Sequence, residues 1–276
     1  NLARLHQTLG RHEDAIRGYR AYIEYAEGVA RENPGDLTNR RNIAMLLGRI
    51  AELRTRGDDV EGALEELSEA ERILSEILSI EPENRMFLLT LQSTHIHFGD
   101  SLMEIERTDE AIDHFEQAEA IARRVAEADP ADQHARRGLA TCTFWLANAH
   151  TDLGNAEESL EYAREYLRLT DAMIERAPEY AVLRRDRAIA LAMLGTALAA
   201  NGRYEQAARR ADEAVALTDE LSAASPEDAS LRFDRMSHRR SAARVRMAWG
   251  EATGGDAAIE IAWTPARDLL TESLRV

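Results

Sequence analysis

The side chains that would carry chemistry are few, and their spacing works against it. His95 and His97 come nearest to a metal-ligand pair. Two positions along a helix turn them about 200° apart, so they do not share an ion. His114, His134 and His150 read likewise, as satisfied or solvent-facing histidines. Glu65-Glu66 and Glu157-Glu158 have the residue types for a general acid and base, but beside arginines at helical spacing they read as solvated faces with weak ion pairs. The sequence contains no lysine, which removes the phosphate-loop lysine, the Schiff base and the kinase β3 lysine. It has no Gly-x-Gly-x-x-Gly, His-Glu-x-x-His, Gly-x-Ser-x-Gly or Glu-x-x-His. The expectation is a non-enzyme with no catalytic residue, no cofactor and no metal. Cys142 is the single cysteine, which excludes an intramolecular disulfide and a cysteine-rich zinc site. It reads as a small buried apolar residue.

Two arginine patterns stand out. Arg40-Arg41, Arg136-Arg137 and Arg184-Arg185 lie 96 and 48 residues apart, with Leu88-Leu89 in the same phase between them. Recurrence at one phase favours an inter-repeat ladder of ion pairs to acids near helix ends over an anion-binding stripe. Near the end, Arg232, Arg235, Arg239, Arg240, Arg244 and Arg246 crowd one helix. Pairing with the acidic helix before it is set against a docking site for an acidic segment of a partner or adjoining domain.

All 34 basic residues are therefore arginine, and 50 acids oppose them for a formal charge of −16 over 276 residues. Such a field repels nucleic acid and anionic membranes, so neither is expected as a partner. The longest apolar stretch, 188–200, is too short to span a bilayer and reads as a buried helix. No basic segment followed by an apolar run opens the chain, and the start at Asn1 reads as a cut within a longer protein. A cytoplasmic setting is favoured, with an extracytoplasmic arm of a membrane protein as the alternative.

The elements that must position these residues are set by the prolines. Pro34, Pro82, Pro130, Pro178 and Pro226 are each 48 residues apart, and Asp36, Asn84, Asp132 and Asp228 follow four of them by two places. Proline biases the residue before it away from the helix, and the Asp or Asn can cap the next one. Midway, Gly10, Gly57, Gly154 and Gly202 interrupt the helical pattern, followed by the small residues Ala15, Ala63, Ala111, Ser159 and Ala207, again 48 apart. Each unit is thus two helices of roughly 20 residues, each about 30 Å long.

Leu194-Gly195-x-x-Leu198, Gly202 and Ala207-x-x-x-Ala211-x-x-Ala214 resemble the tetratricopeptide pattern. Partial copies are Phe98-Gly99-x-x-Leu102 with Ala111-x-x-x-Phe115-x-x-Ala118, and Ala15-x-x-x-Tyr19-x-x-Tyr22. The resemblance implies an all-α, right-handed superhelical solenoid of antiparallel helical hairpins. The usual unit is about 34 residues; the excess of about 14 adds roughly two turns to each helix. Long units with an acid and proline followed by paired arginines resemble the repeat arms of large bacterial signalling proteins, including receptor-like serine/threonine kinases. No kinase motif is present.

The expected organisation is a single array over 1–276: a partial repeat at 1–33, full repeats at 34–81, 82–129, 130–177 and 178–225, and a divergent repeat or cap at 226–276. Gly250 keeps the mid-unit phase, but Gly254-Gly255 and Pro265 break the register. The resemblance implies a protein or peptide held on a concave surface of first helices, where alignment on Leu194-Gly195 places Glu52, His97, Asp100, Phe144, Asn148, Thr196, Arg240 and Arg244. The partner is a peptide, a helix or another domain of the same chain, and the alternative role is the sensor or regulatory arm of a signalling enzyme. The sequence leaves the oligomeric state open. The groove lacks the repeated Lys, Arg and Asn of the chaperone-tail clamp, and only Asn148 fits it. Of Phe144-Trp145, one ring is expected in the core; Tyr19, Tyr22 and Tyr25 are all expected to pack.

Overall fold

The computed structural model describes residues 11–33, 35–254 and 264–273; Gly10, Pro34 and Gly255 lie outside them. All regular structure among the described residues is helical: α1 (His12–Glu32), α2 (Leu37–Thr55), α3 (Val60–Ile80), α4 (Arg85–Glu104), α5 (Thr108–Ala128), α6 (Gln133–Asp152), α7 (Ala156–Arg176), α8 (Ala181–Ala200), α9 (Tyr204–Ala224), α10 (Ala229–Thr253) and α11 (Thr264–Ser273). None is long and apolar enough to cross a membrane.

The proline phrase acts as its chemistry predicts. Asn33, Glu81, Asp129, Ala177 and Ser225, each preceding a proline, end α1, α3, α5, α7 and α9 with φ between −126° and −146° and ψ between 65° and 92°. This is the extended conformation that a following proline ring enforces. Asp36, Asn84, Asp132 and Asp228 then cap the next helix. Asp36 accepts from the Asn39 N–H at 2.9 Å, Asn84 from Met86 at 3.0 Å, Asp132 from His134 at 2.9 Å and Asp228 from Ser230 at 2.8 Å. Each satisfies a backbone donor that the first helical turn leaves free. At the remaining boundary, after Pro178, Tyr180 has the right backbone, φ −80° and ψ 103°, but no capping side chain.

The turn inside each hairpin corrects the sequence reading. The left-handed residue is Asp58 (φ 62°), Glu106 (59°), Gly154 (75°) and Gly202 (70°), 48 apart. Gly57, the expected landmark, stands one residue early, so two hairpins make this turn with a side chain present. In all four the next N–H reaches back five residues: Asp59 to Arg54 O at 2.9 Å, Arg107 to Leu102 O at 3.0 Å, Asn155 to His150 O at 2.8 Å and Arg203 to Leu198 O at 2.9 Å. That bond satisfies a terminal carbonyl and fixes the turn. Gly250, next in phase, is buried within α10, which runs on to the left-handed Gly254 (φ 66°). The register breaks because the helix continues for another turn.

Two compact units divide at Cys142 and Thr143, inside α6. In the first, α1 packs on α2, α2 on α3, α3 on α4 and α4 on α5, while α2 also lies against α4. Its core joins Tyr19 and Ile23 of α1, Leu47 and Ile50 of α2, Leu74 and Ile77 of α3 and Phe87 of α4. In the second, α7 packs on α8, α8 on α9, α9 on α10 and α10 on α11, and α8 also meets α10. Leu160, Leu194, Leu198, Ala207 and Val245 form its centre. First helices that touch both their hairpin partner and the next first helix must be apolar around most of their girth, whereas second helices need one stripe.

The five small residues Ala15, Ala63, Ala111, Ser159 and Ala207 are at most 1% exposed, as hairpin crossings require. Tyr19 is buried, but Tyr22 and Tyr25 are 46% and 68% exposed, contrary to expectation. Steps of three fall 60° short of a full turn, so the second and third rings rotate off the core stripe. Glu66 also departs from the solvated face predicted for it. It is buried between Arg20 and Arg54, while Glu65, Glu157 and Glu158 are exposed. Burial raises its carboxyl despite the two arginines. Cys142 is fully buried, its thiol pushed up to about 12 by desolvation.

Candidate functional site: a groove on the first helices

In the first unit α2, α4 and the start of α6 enclose a groove of about 560 Å³. Its walls are of two kinds. Ala44, Met45, Met86 and Leu89 supply apolar surface, and Arg41, Arg49, Arg85, His97 and His134 supply donors. Met45 and Met86 are 38% and 49% exposed, an adaptable apolar surface open to a ligand. A second hollow of about 390 Å³ shares Leu89, Ser93 and His134 and extends the groove over Ile96, Arg137 and Thr141.

The proline phrase and the caps fix which residues face this groove, because Asp36, Asn84 and Asp132 start the three helices at one phase. Three of the cations are anchored from behind. Arg85 donates to Asp132 at 2.8 Å through Nε, tying α4 to the start of α6. Arg49 is held by Glu52 at 3.2 Å, and Glu52 also takes Arg56 at 2.8 Å. The His97 ring lies 3.5 Å from Ser93 Oγ; burial lowers its pKa, Glu52 opposing and Arg49 and Arg56 adding. Arg41 donates through Nε to Thr90 Oγ1 at 2.8 Å and through Nη1 to Asn42 Oδ1 at 3.2 Å, and its pKa is lowered by burial.

Of the residues aligned from sequence, Glu52, His97 and Asp100 come together in the first unit. His97 lines the groove, Glu52 braces Arg49 behind it, and Asp100 is close enough for Glu52 to add to the upward shift that burial and Glu104 give its carboxyl. In the second unit Phe144 is half-buried, edge-on to Trp145 at 5.3 Å and Tyr166 at 5.8 Å. Asn148 lies half-buried one turn further along the helix. Thr196 Oγ1 is 3.0 Å from Ser241 Oγ, linking α8 to α10. Arg240 and Arg244 are exposed, and neither forms an ion pair among the described residues.

The basic helix resolves into pairs and free charges. Arg239 binds Asp219 at 2.9 Å and Arg246 binds Asp212 at 2.5 Å, both on the preceding α9, as the pairing reading requires. The arginine dipeptides split as well. Arg40 and Arg184 reach Glu76 and Glu220, 36 residues on and in their own hairpin, rather than the next repeat. Arg185 does cross to the next repeat, meeting Asp234 at 2.5 and 3.1 Å. Arg136 bends back to the Pro130 carbonyl.

The groove residues Met45, Arg49, Met86 and Ser93 were not singled out in the sequence. Their signal was the phase of the first helices, which fixes a face but not which units leave it open. The His95 and His114 rings, nineteen residues apart, also meet, Nδ1 to Nδ1 at 3.1 Å. Among the described residues no group of three or more His, Cys, Asp or Glu could hold a metal ion.

No protein-family model matches the sequence, and no curated protein matches it. Solved structures do. BtubC (BKLC) from P. vanneervenii is 16% identical, with TM-score 0.68 over 96% of this chain and 90% of its own. A putative kinesin light chain from Podosopora anserina with nearly identical TPR-like repeats is 17% identical, with TM-score 0.56 over 83% of this chain and 96% of its own. A signal transduction ATPase from Pyrococcus horikoshii with a tetratricopeptide repeat sensor is 13% identical, with TM-score 0.55 over 98% of this chain and 45% of its own. At these identities the likeness is one of fold. The hairpins, the 48-residue phase of their caps and turns, and these superpositions give the chain a tetratricopeptide-like, all-α helical-repeat fold.

Proposed function

We propose that the chain is a non-catalytic interaction scaffold, arranged as one array of 48-residue repeats, that holds a peptide, a helix or a neighbouring domain on the face of its first helices. The observation that carries this is the groove over α2, α4 and the start of α6, where exposed methionines alternate with braced cations. Apolar surface with a few fixed polar groups is how a binding cleft combines affinity with orientation. We assign Glu52, His97 and Asp100 to the first-helix face of the first unit, and Phe144, Asn148, Thr196, Arg240 and Arg244 to the first-helix face of the second, each unit taken by itself. A photo-crosslinking amino acid in place of Ser93, in the groove, should trap a partner in the native cell, and one in place of Glu61, exposed on α3, should not. Equal trapping from both positions would end the proposal.

A second reading, a sensor or regulatory arm of a larger signalling enzyme, is favoured by the likeness to an ATPase whose repeat region is described as its sensor. The complete gene separates the two. A catalytic domain in the same reading frame supports the arm, and a free-standing repeat protein removes it.

A further inference from the structure

Arg185 and Arg41 occupy the same phase of the repeat, and each reaches the residue 49 positions on. For Arg185 that residue is Asp234, which is 6% exposed and binds the guanidinium with both oxygens. For Arg41 it is Thr90, also 6% exposed, which offers one hydroxyl. Asn42, its other partner, is neutral too. Among the described residues Arg41 thus has no carboxylate partner, in a chain with 50 acids against 34 cations. A half-buried cation without a counter-ion is costly, and one at the wall of an open groove can be relieved by a ligand. The two arginines shift in opposite directions: the hydrogen bond to Asp234 raises Arg185, while burial lowers Arg41.

The surroundings specify the ligand. Arg49 and Arg85 line the same groove, each paired with a carboxylate behind it, and no Asp or Glu is among the lining residues although the whole molecule is anionic. Met45, Met86 and Leu89 lie among them. A free anion would leave that apolar surface bare, and a purely apolar helix would bury Arg41 unpaired. We propose that Arg41 is the anion-recognising residue of this groove, and that the groove takes a peptide segment of a partner protein presenting a carboxylate side chain next to an aliphatic one. Thr90 takes the place of the internal carboxylate found at Asp234 and engages only Nε, with Asn42 on Nη1, leaving Nη2 to the incoming acid. This rests on the first-helix face being the binding face.

A displayed library of random peptides of about a dozen residues, panned on the whole chain, supplies the probe. The expected winners carry Asp or Glu beside Leu, Ile, Val or Met. Replacing that acid by its amide, or making Arg41→Gln, should weaken binding about tenfold, the size of a charge-assisted hydrogen-bonded pair. Thr90→Asp should weaken it as much while raising the melting temperature, because it restores the internal pair. Arg72→Gln, the same loss of charge on the exposed side of α3, should change nothing. Circular dichroism checks that each variant folds, and Arg41→Gln alone decides the matter should Thr90→Asp misfold. Peptides sensitive to Met45→Ser and Met86→Ser but indifferent to Arg41 and to their own acids would overturn the inference and leave the proposed function standing. No winners, or winners indifferent to every groove variant, would overturn both. Self-association of the chain abolished by Arg41→Gln would give the groove to a second copy instead of a peptide.

Discussion

His95 is 3% exposed and meets His114 Nδ1 to Nδ1 at 3.1 Å, with Phe98 stacked on the second ring at 4.3 Å. One nitrogen must carry a proton and the other a lone pair, so the contact holds only while at least one ring is neutral. Burial, and then His114, lowers His95 to about 4; His114 is lowered by burial, against Glu71, Asp113 and Glu110. A histidine depressed in the fold stabilises it fully above its unfolded pKa, and that stability is lost as pH falls through the window from about 6.5 to about 4. The loss from His95 is on the order of 3 kcal/mol. About 2 kcal/mol of it falls above pH 5, so urea midpoints at pH 7 and pH 5 should differ by that amount divided by the m-value. His95→Leu, which copies Leu47 and Leu191 at the same phase, should flatten the dependence, and an unchanged slope would remove the pair as its cause.

A second residue-scale test concerns volume. A Cβ on Gly99 would sit 2.3 Å from Phe115 Cε1, and Phe115 is fully buried. At the equivalent crossings Ala51 accompanies Leu67, Ala147 accompanies Ala163 and Gly195 accompanies Ala211, so of these four crossings this one alone sets a ring against the first helix. Gly99→Ala should cost about 1–3 kcal/mol by overpacking. Adding Phe115→Leu, which recreates the Ala51 and Leu67 pairing, should recover most of it, giving a coupling above about 1 kcal/mol in a denaturation cycle. The glycine was legible in the sequence, but its reason was not: a repeat alignment shows conserved smallness, and only the packing shows the large ring opposite.

At the scale of the element, caps and turns were legible because each is local. Asp36, Asn84, Asp132 and Asp228 cap as their position after proline predicts. The exceptions make predictions. Tyr180→Asp supplies the missing cap and should stabilise by about 1 kcal/mol. Glu106 holds a left-handed conformation (φ 59°) where Gly154 and Gly202 do so freely. Glu106→Gly should stabilise by about 1 kcal/mol and Gly202→Ala destabilise by at least as much. Thermal melts of the three variants check both. The turn escaped the sequence reading where Gly57 drew attention from Asp58, since a glycine beside the position looks like the glycine at it. Charge partners were less legible still. Arg40 and Arg41 are neighbours, yet one turns to Glu76 in its own hairpin and the other to Thr90 in the next repeat, because adjacent helical residues point about 100° apart.

At the scale of the molecule, the period read from five prolines gave the hairpins their places, while the partner face was legible only as a phase. Which unit opens a groove there depends on side chains 48 residues apart: Gly48 and Met45 on one helix leave space that Met86, Leu89 and Ser93 border from the next. In the second unit Phe144 is half-buried, and Arg240 and Arg244 are exposed with no ion pair among the described residues. The seven methionines make the central claim directly measurable. With methyl-labelled methionine, adding a selected peptide should move the Met45 and Met86 resonances and leave the buried Met173 in place. Shifts that spare Met45 and Met86 while the peptide is bound would contradict a first-helix binding face.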